Sequence, residues 1–229
     1  MGKDWGERSH KKKVEPHGKR RTEKVRGMEY KRQIDKKLIP TCKIMGVNIA
    51  AINMGWLVYY LEKNLSKIKG DYICVANVHT TVTSYEDEKY CEIQNNGLMA
   101  IPDGGPLSTV GQKRGYKNME RTTGPSLMGE IFEISAKKGY RHYFYGSEEE
   151  TLKLLYQKLT NRYPKIQIAG MYSPPFRPMM EEEDAAIVEQ INDTKPDFVW
   201  VGLGAPKNRY PTSSVNMWRL LFYPLTMNI

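Results

Sequence analysis

Five short, almost continuously apolar runs alternate with stretches whose apolar residues recur every three or four positions. The runs cover residues 71–76, 99–102, 141–146, 166–170 and 197–204. Helical spacing links Leu57, Tyr60, Leu61 and Leu65; Leu127, Ile131 and Ile134, with Met128 and Phe132 widening the face; Leu152, Leu155 and Leu159; and Val188 with Ile191. A strand without polar alternation has to be covered on both faces. Strand–helix alternation of this kind specifies a parallel sheet wound in both directions. Right-handed crossovers then carry the strand ends at Asn77, Asp103 and Gly204 to one edge, where open α/β sheets take their ligands.

The expected fold class is therefore α/β: a doubly wound, mostly parallel, Rossmann-like sheet with helices on both faces. Local signals fill in the order. Residues 43–47 read as a first strand, and Asn53 as the cap of the helix that follows. Residues 77–81 read as a polar loop at a strand end. There His79 either meets a ligand or satisfies a nearby backbone group. Ser84 and Asp87 have capping-box spacing ahead of a short helix through Ile93. Pro106 suits the first turn of a helix over 107–113. Gly139 ends the helix begun near Leu127, and Ser147 with three glutamates caps the next. A last helix covers 181–192, and Pro196 ends it.

Charge divides the chain. Residues 1–37 hold 14 Lys/Arg against 6 Asp/Glu and so carry +8 of the net +9. They offer little to bury and read as a basic, disordered leader. A solvated leader is the first expectation for it, ahead of an anchor on anionic lipid or a nucleic-acid arm. The body over 38–207 is almost neutral, which argues against a nucleic-acid face on the folded domain. No apolar run approaches the roughly 20 residues of a membrane span. Cys42, Cys74 and Cys91 lack metal-site or redox spacing and fit buried thiols in a reducing compartment.

Several chemistries are excluded by pattern. The chain has no GxxxxGK[ST] phosphate loop, no GxSxG elbow and no HExxH pair. Gly202-x-Gly204 lacks the third glycine of a dinucleotide fingerprint. What remains is Asp103 at a strand end, Arg121 in a loop, the Asn77-x-His79-Thr80-Thr81 stretch and the Gly204-Ala205-Pro206-Lys207 loop. Asp-Gly-Gly-Pro is also ordinary turn chemistry. An unpaired carboxylate nevertheless suits a general base, and an arginine suits phosphate, which it holds bidentately. A base and a phosphate clamp without a metal cluster fit sugar transfer from a nucleotide donor.

Taken in order, Ala76-Asn77-Val78-His79-Thr80-Thr81, Pro102-Asp103-Gly104-x-Pro106-Leu107, Arg121-x-x-Gly124-Pro125, Phe144-Tyr145-Gly146 and Val201-Gly202-Leu203-Gly204-x-Pro206-Lys207 closely resemble the bacterial WecG/TagA/CpsF glycosyltransferases. The resemblance covers residues 43–207. It implies inverting transfer of an N-acetylmannosamine-type sugar from a UDP-sugar to an undecaprenyl-diphosphate-linked sugar. That reaction feeds teichoic acid, common antigen or exopolysaccharide at the cytoplasmic membrane face. It also implies a peripheral location on the inner face of the plasma membrane, no metal or other cofactor, and room for a homo-oligomer. Asp103 falls on the family's proposed base. Asn77, His79, Thr80, Thr81, Gly104, Arg121, Gly204, Lys207 and Asn208 fall on or beside its substrate contacts.

Two departures accompany the resemblance. Val75 stands where TagA-like members have a threonine, whose hydroxyl role is then missing or passes to Thr80 or Thr81. After Lys207 the familiar Gln-Glu becomes Asn208-Arg209, and residues 208–229 form a divergent tail. Within it the apolar stretch 218–223 reads first as poorly packing sequence, ahead of a strand or a membrane contact. The alternative for the whole chain is a catalytically incomplete remnant that still binds a nucleotide-sugar.

Overall fold

A computed structural model describes residues 38–177, 179–203 and 219–221. The chain opens with a hairpin of β1 (Thr41–Ile44) and β2 (Val47–Ala50), followed by α1 (Met54–Asn64) and β3 (Tyr72–Ala76). Two short helices, α2 (Val78–Glu86) and α3 (Glu88–Asn96), lead to β4 (Met99–Pro102). Then come α4 (Gly105–Lys113), α5 (Gly124–Lys138), β5 (Arg141–Tyr145) and α6 (Glu149–Arg162). β6 (Gln167–Tyr172), α7 (Glu181–Asp193), β7 (Phe198–Val201) and β8 (Arg219–Leu221) complete the described elements.

One eight-stranded sheet runs in the order β1-β2-β4-β3-β8-β7-β5-β6. Every neighbouring pair is parallel except the β1–β2 hairpin. The expected fold class is therefore the one observed. The alternation of side chains along each strand builds two cores. Ile73, Val75, Met99, Ile101, Phe144, Phe198 and Trp200 pack on one face with Leu57, Leu127, Phe132 and Leu155 from α1, α5 and α6. Cys74, Ala76, Ala100, Tyr143, Val199 and Val201 pack on the other with Leu107 of α4 and Ile187, Val188 and Ile191 of α7. Both faces are dry, which is why the strands carry no polar alternation.

Several local expectations hold. Asn53 caps α1, its side chain accepting the Trp56 amide at 2.9 Å. Gly139 ends α5 in the left-handed region, at φ 72°. Others need correction. Residues 43–47 are not one strand, because Met45 and Gly46 take φ 47° and 89° and reverse the chain into a hairpin. Residues 77–81 are not a loop, because Asn77 caps α2 directly. Ser84 lies inside α2 and bonds back to the Thr80 carbonyl at 2.9 Å, and Asp87 is the cap that opens α3. Glu148, not Ser147, precedes α6, and its side chain makes no cap bond.

The largest correction concerns the tail. Arg219–Leu221 is a strand at the middle of the sheet, parallel to β3 on one side and β7 on the other. Of the readings for 218–223, the strand is the one seen at 219–221, and residues 218, 222 and 223 lie outside the described residues. The basic leader, residues 1–37, lies outside the described residues. Among the described residues no helix is long and apolar enough to cross a membrane.

Candidate active site

Parallel strands place their carboxyl ends along one edge, and the candidate residues of the first half lie there. β4 stops at Pro102, whose nitrogen has no hydrogen to extend the ladder. The next two amides turn back onto β3: Asp103 N–H and Gly104 N–H both donate to the Ala76 carbonyl, at 2.8 and 3.3 Å. A side chain at residue 104 would meet Asn77, its Cβ lying 3.2 Å from Asn77 Cα and 3.4 Å from Val78 N. Glycine is what lets the Asp103 turn lie against the start of α2.

Arg121 reaches this turn on an anchored strap. Met119 is fully buried, Glu120 N–H donates to the Ile52 carbonyl at 3.0 Å, and Thr122 N–H donates to the Pro102 carbonyl at 2.7 Å. Thr122 is itself buried, while Arg121 beside it is exposed. Arg121 Nε–H donates to the main-chain carbonyl of Asp103 at 2.7 Å. That bond uses Nε alone and leaves the terminal guanidinium donors at the edge. The Asp103 carboxyl is half-buried, and burial pushes its pKa above the usual value, with the Arg121 charge pulling in the opposite direction. Burial disfavours the charged form of a carboxyl, whereas a nearby cation favours it. The result is a carboxylate more basic than an exposed aspartate and held next to a fixed cation.

The α2 residues divide. Asn77 Oδ1 accepts the Thr80 amide at 3.0 Å, and Thr80 Oγ1 accepts the Asn77 amide at 2.9 Å, a reciprocal capping box. Thr80 and Thr81 are buried, and their hydroxyls also donate to the Asn77 carbonyl, at 3.1 and 3.0 Å. Those hydroxyls are therefore engaged with the helix backbone. The side-chain amide of Asn77 remains at the edge, and His79 is exposed on the first turn. Three helices, α2, α4 and α5, begin around Asp103, so their partial positive ends favour an anion there. The sequence singled out Asp103, Gly104 and Arg121 but not the supports at Ile52 and Thr122. A buried threonine and a backbone carbonyl carry no pattern that sequence could reveal.

Gly204, Lys207 and Asn208 lie outside the described residues. The strand that leads to them, β7, is three strand spacings from β4. The separation is about 14 Å at the usual 4.8 Å per spacing. An open groove between α6 and β6, lined by Glu149, Leu152, Tyr156 and Tyr172, is at the far edge of the sheet. It stands five spacings from β4, about 24 Å away, and is no part of the Asp103 site. Among the described residues no cluster of three His, Cys, Asp or Glu side chains could hold a metal.

A carboxyl group beside a cation lies at the carboxyl edge of an open, mostly parallel sheet, the edge at which α/β proteins commonly take ligands. The comparisons then supply the family. The model of the glycosyl transferase WecG/TagA/CpsF family matches residues 42–215, and the chain belongs to that family. A relative from Bacillus subtilis (strain 168) is named N-acetylglucosaminyldiphosphoundecaprenol N-acetyl-beta-D-mannosaminyltransferase. It is 26% identical over 155 residues, covering 67% of this chain and 59% of its own. Relatives of the same name from Bacillus spizizenii (strain ATCC 23059 / NRRL B-14472 / W23) and Staphylococcus aureus (strain NCTC 8325 / PS 47) are 24% and 22% identical. They cover 71% and 72% of this chain. The chain spans 59% of the length of the first two and 63% of the third.

Proposed function

We propose that this chain transfers an N-acetylhexosamine of the N-acetylmannosamine type from a UDP-sugar to a polyprenyl-diphosphate-linked sugar, with inversion, in the synthesis of a cell-surface polymer. The observation that carries the proposal is the pairing of Asp103 and Arg121 on one hydrogen-bonded turn at the sheet edge. The names of the relatives support the same class of acceptor. In the proposed step the Asp103 carboxylate takes the proton of the acceptor hydroxyl. The hydroxyl oxygen bonds to the anomeric carbon from the face opposite the leaving group. The bond from that carbon to the diphosphate breaks, and UDP leaves with the electron pair. Arg121 meets diphosphate charge. No metal enters the proposed step, and EDTA is expected to leave turnover unchanged. Loss of turnover on chelation, restored by a divalent cation, rejects that part. The proposed location is peripheral, at the inner face of the bacterial plasma membrane.

The test is UDP release from a panel of UDP-N-acetylhexosamines with a lipid-diphosphate-linked sugar acceptor. Asp103→Ala is expected to lose about 10²–10⁴-fold in turnover, the usual worth of a general base. Retained turnover in a folded Asp103→Ala protein rejects the assignment. A second reading, nucleotide-sugar binding without transfer, draws on Val75, a buried apolar side chain where the resemblance expects a threonine hydroxyl. Saturable UDP binding with no turnover on any acceptor decides for it.

A further inference from the structure

The two edges of the sheet are treated differently. β1 forms one edge and is blunted: it is four residues long, carries Lys43, and its Lys43 carbonyl accepts from Arg114 Nη1–H. Short edge strands and lysines are how sheets keep foreign strands off. β6 forms the other edge and, at six residues, is the longest described strand. Gln167–Tyr172 holds no charge and no proline. Its one irregularity, the register break opposite His142 and Tyr143, leaves Gly170–Tyr172 in regular pairing with β5. The Tyr172 carbonyl accepts from Gly146 N–H and so faces β5. Alternation along the strand then turns the amide and carbonyl of Met171 outward, where no described strand pairs with them.

Helix α6 flanks this edge. Leu152, Tyr156, Met171 and Tyr172 line the open groove between it and β6, and Tyr156 is 50% exposed there. The helix carries opposite charge at its two ends: Glu148, Glu149 and Glu150 at the start, Lys158, Arg162 and Lys165 toward and just beyond the finish. Each end suits the dipole of its own helix. A second copy laid antiparallel across β6 uses that polarity again, because the two-fold axis sets each acidic start toward the partner's basic finish. A lone peptide strand gains no such match. We infer that β6 is a self-association edge, at which a second copy of this chain pairs antiparallel through Met171 and covers Tyr156 at the joint. The edge is five strand spacings from β4 and leaves the Asp103 turn open.

Sedimentation velocity of the full chain across a dilution series, with amide exchange at Met171, tests the edge. The native chain sediments as a dimer, and its Met171 amide exchanges slowly until dilution separates the copies. Glu148→Lys with Glu149→Lys raises the dimer dissociation constant about tenfold, since single exposed pairs are weak but symmetry counts each twice. Adding Arg162→Glu and Lys165→Glu to that variant restores the native constant, which a merely misfolded variant could not do. A monomer at every concentration overturns the inference. So does a dimer whose Met171 amide exchanges freely, because the copies then meet elsewhere, and so does a dimer indifferent to both charge sets. A slow Met171 amide in a monomer assigns the edge to a different strand and overturns the second copy as its occupant.

Discussion

Two titratable side chains in this molecule carry opposite pH signatures. His142 is completely buried, stacked on Phe198 and Trp200, and its Nδ1 accepts the Trp200 indole N–H at 3.0 Å. The proton of the neutral ring is therefore on Nε2, which has no hydrogen-bond partner among the described residues. Burial pushes the pKa down from 6.5 to about 3. Between those values the unfolded chain binds the extra proton, so stability falls as pH drops through 6.5 toward 3. The full shift amounts to about 5 kcal/mol at most. Urea midpoints measured from pH 7 to pH 4 are expected to fall, and His142→Phe to flatten the slope while lowering stability at pH 7, because Trp200 loses its acceptor. An unchanged slope in that variant removes His142 as its source. Asp103 runs the other way. Its folded pKa is raised, so the native state holds the proton longer and stability declines as pH rises above the ordinary carboxylate range. Asp103→Asn is accordingly expected to raise the melting temperature at pH 7 while lowering the proposed transfer about 10²–10⁴-fold. A lowered melting temperature contradicts the idea that this carboxyl is kept at a cost for function.

Among the elements, the junction that closes β5 shows how tightly the second half of the edge is set. Gly146 has φ 97°, and a Cβ there would lie 3.0 Å from the Gly202 carbonyl oxygen and 2.7 Å from Leu203. Its amide donates to the Tyr172 carbonyl at 2.8 Å, and Gly202 N–H donates to the Tyr145 carbonyl at 2.9 Å, so β5, β6 and β7 end in one bonded corner. Gly146→Ala is expected to cost about 1–3 kcal/mol in urea unfolding, from the backbone conformation and the contact with Gly202 together. A cost near zero means the corner relaxes freely. The same elements show what could be read beforehand. The strands β3 to β7 were legible as nearly continuous apolar runs, and the helices α1, α5, α6 and α7 because their apolar residues recur at helical spacing. The start of α2 was not, because its inward face is made of Thr80, Thr81 and Ser84, which read as loop chemistry. The hairpin escaped for a different reason: Met45 adopts a positive φ that its side chain does not announce. At the site, Asp103, Gly104 and Arg121 were visible as residue types. Their mutual bonding passes through backbone carbonyls, which sequence does not encode one by one.

At the scale of the whole molecule, the sheet depends on a strand from the end of the chain. β3 and β7 do not pair with each other; β8 lies between them and is parallel to both, matching Tyr72, Ile73 and Cys74 on one side and Val199, Trp200 and Val201 on the other. Without it the two halves of the sheet face each other across a missing strand, with backbone donors and acceptors of two buried strands unpaired. Buried peptide groups left without partners are costly, about 1–3 kcal/mol each. They are also next to the β3 end, whose Ala76 carbonyl accepts the Asp103 amide, and the β7 end that leads to Gly204. Ending the chain before Arg219 is therefore expected to do more than trim a tail. Among the backbone amides of Ile73, Cys74, Val199, Trp200 and Val201, the alternate ones that face β8 lose hydrogen-exchange protection, while those of α1 and α6 keep theirs. UDP binding weakens with them, because the two sides of the proposed site are no longer held at one spacing. Full protection of these five amides in the shortened chain contradicts a central β8. It also returns residues 219–221 to the role of a dispensable tail.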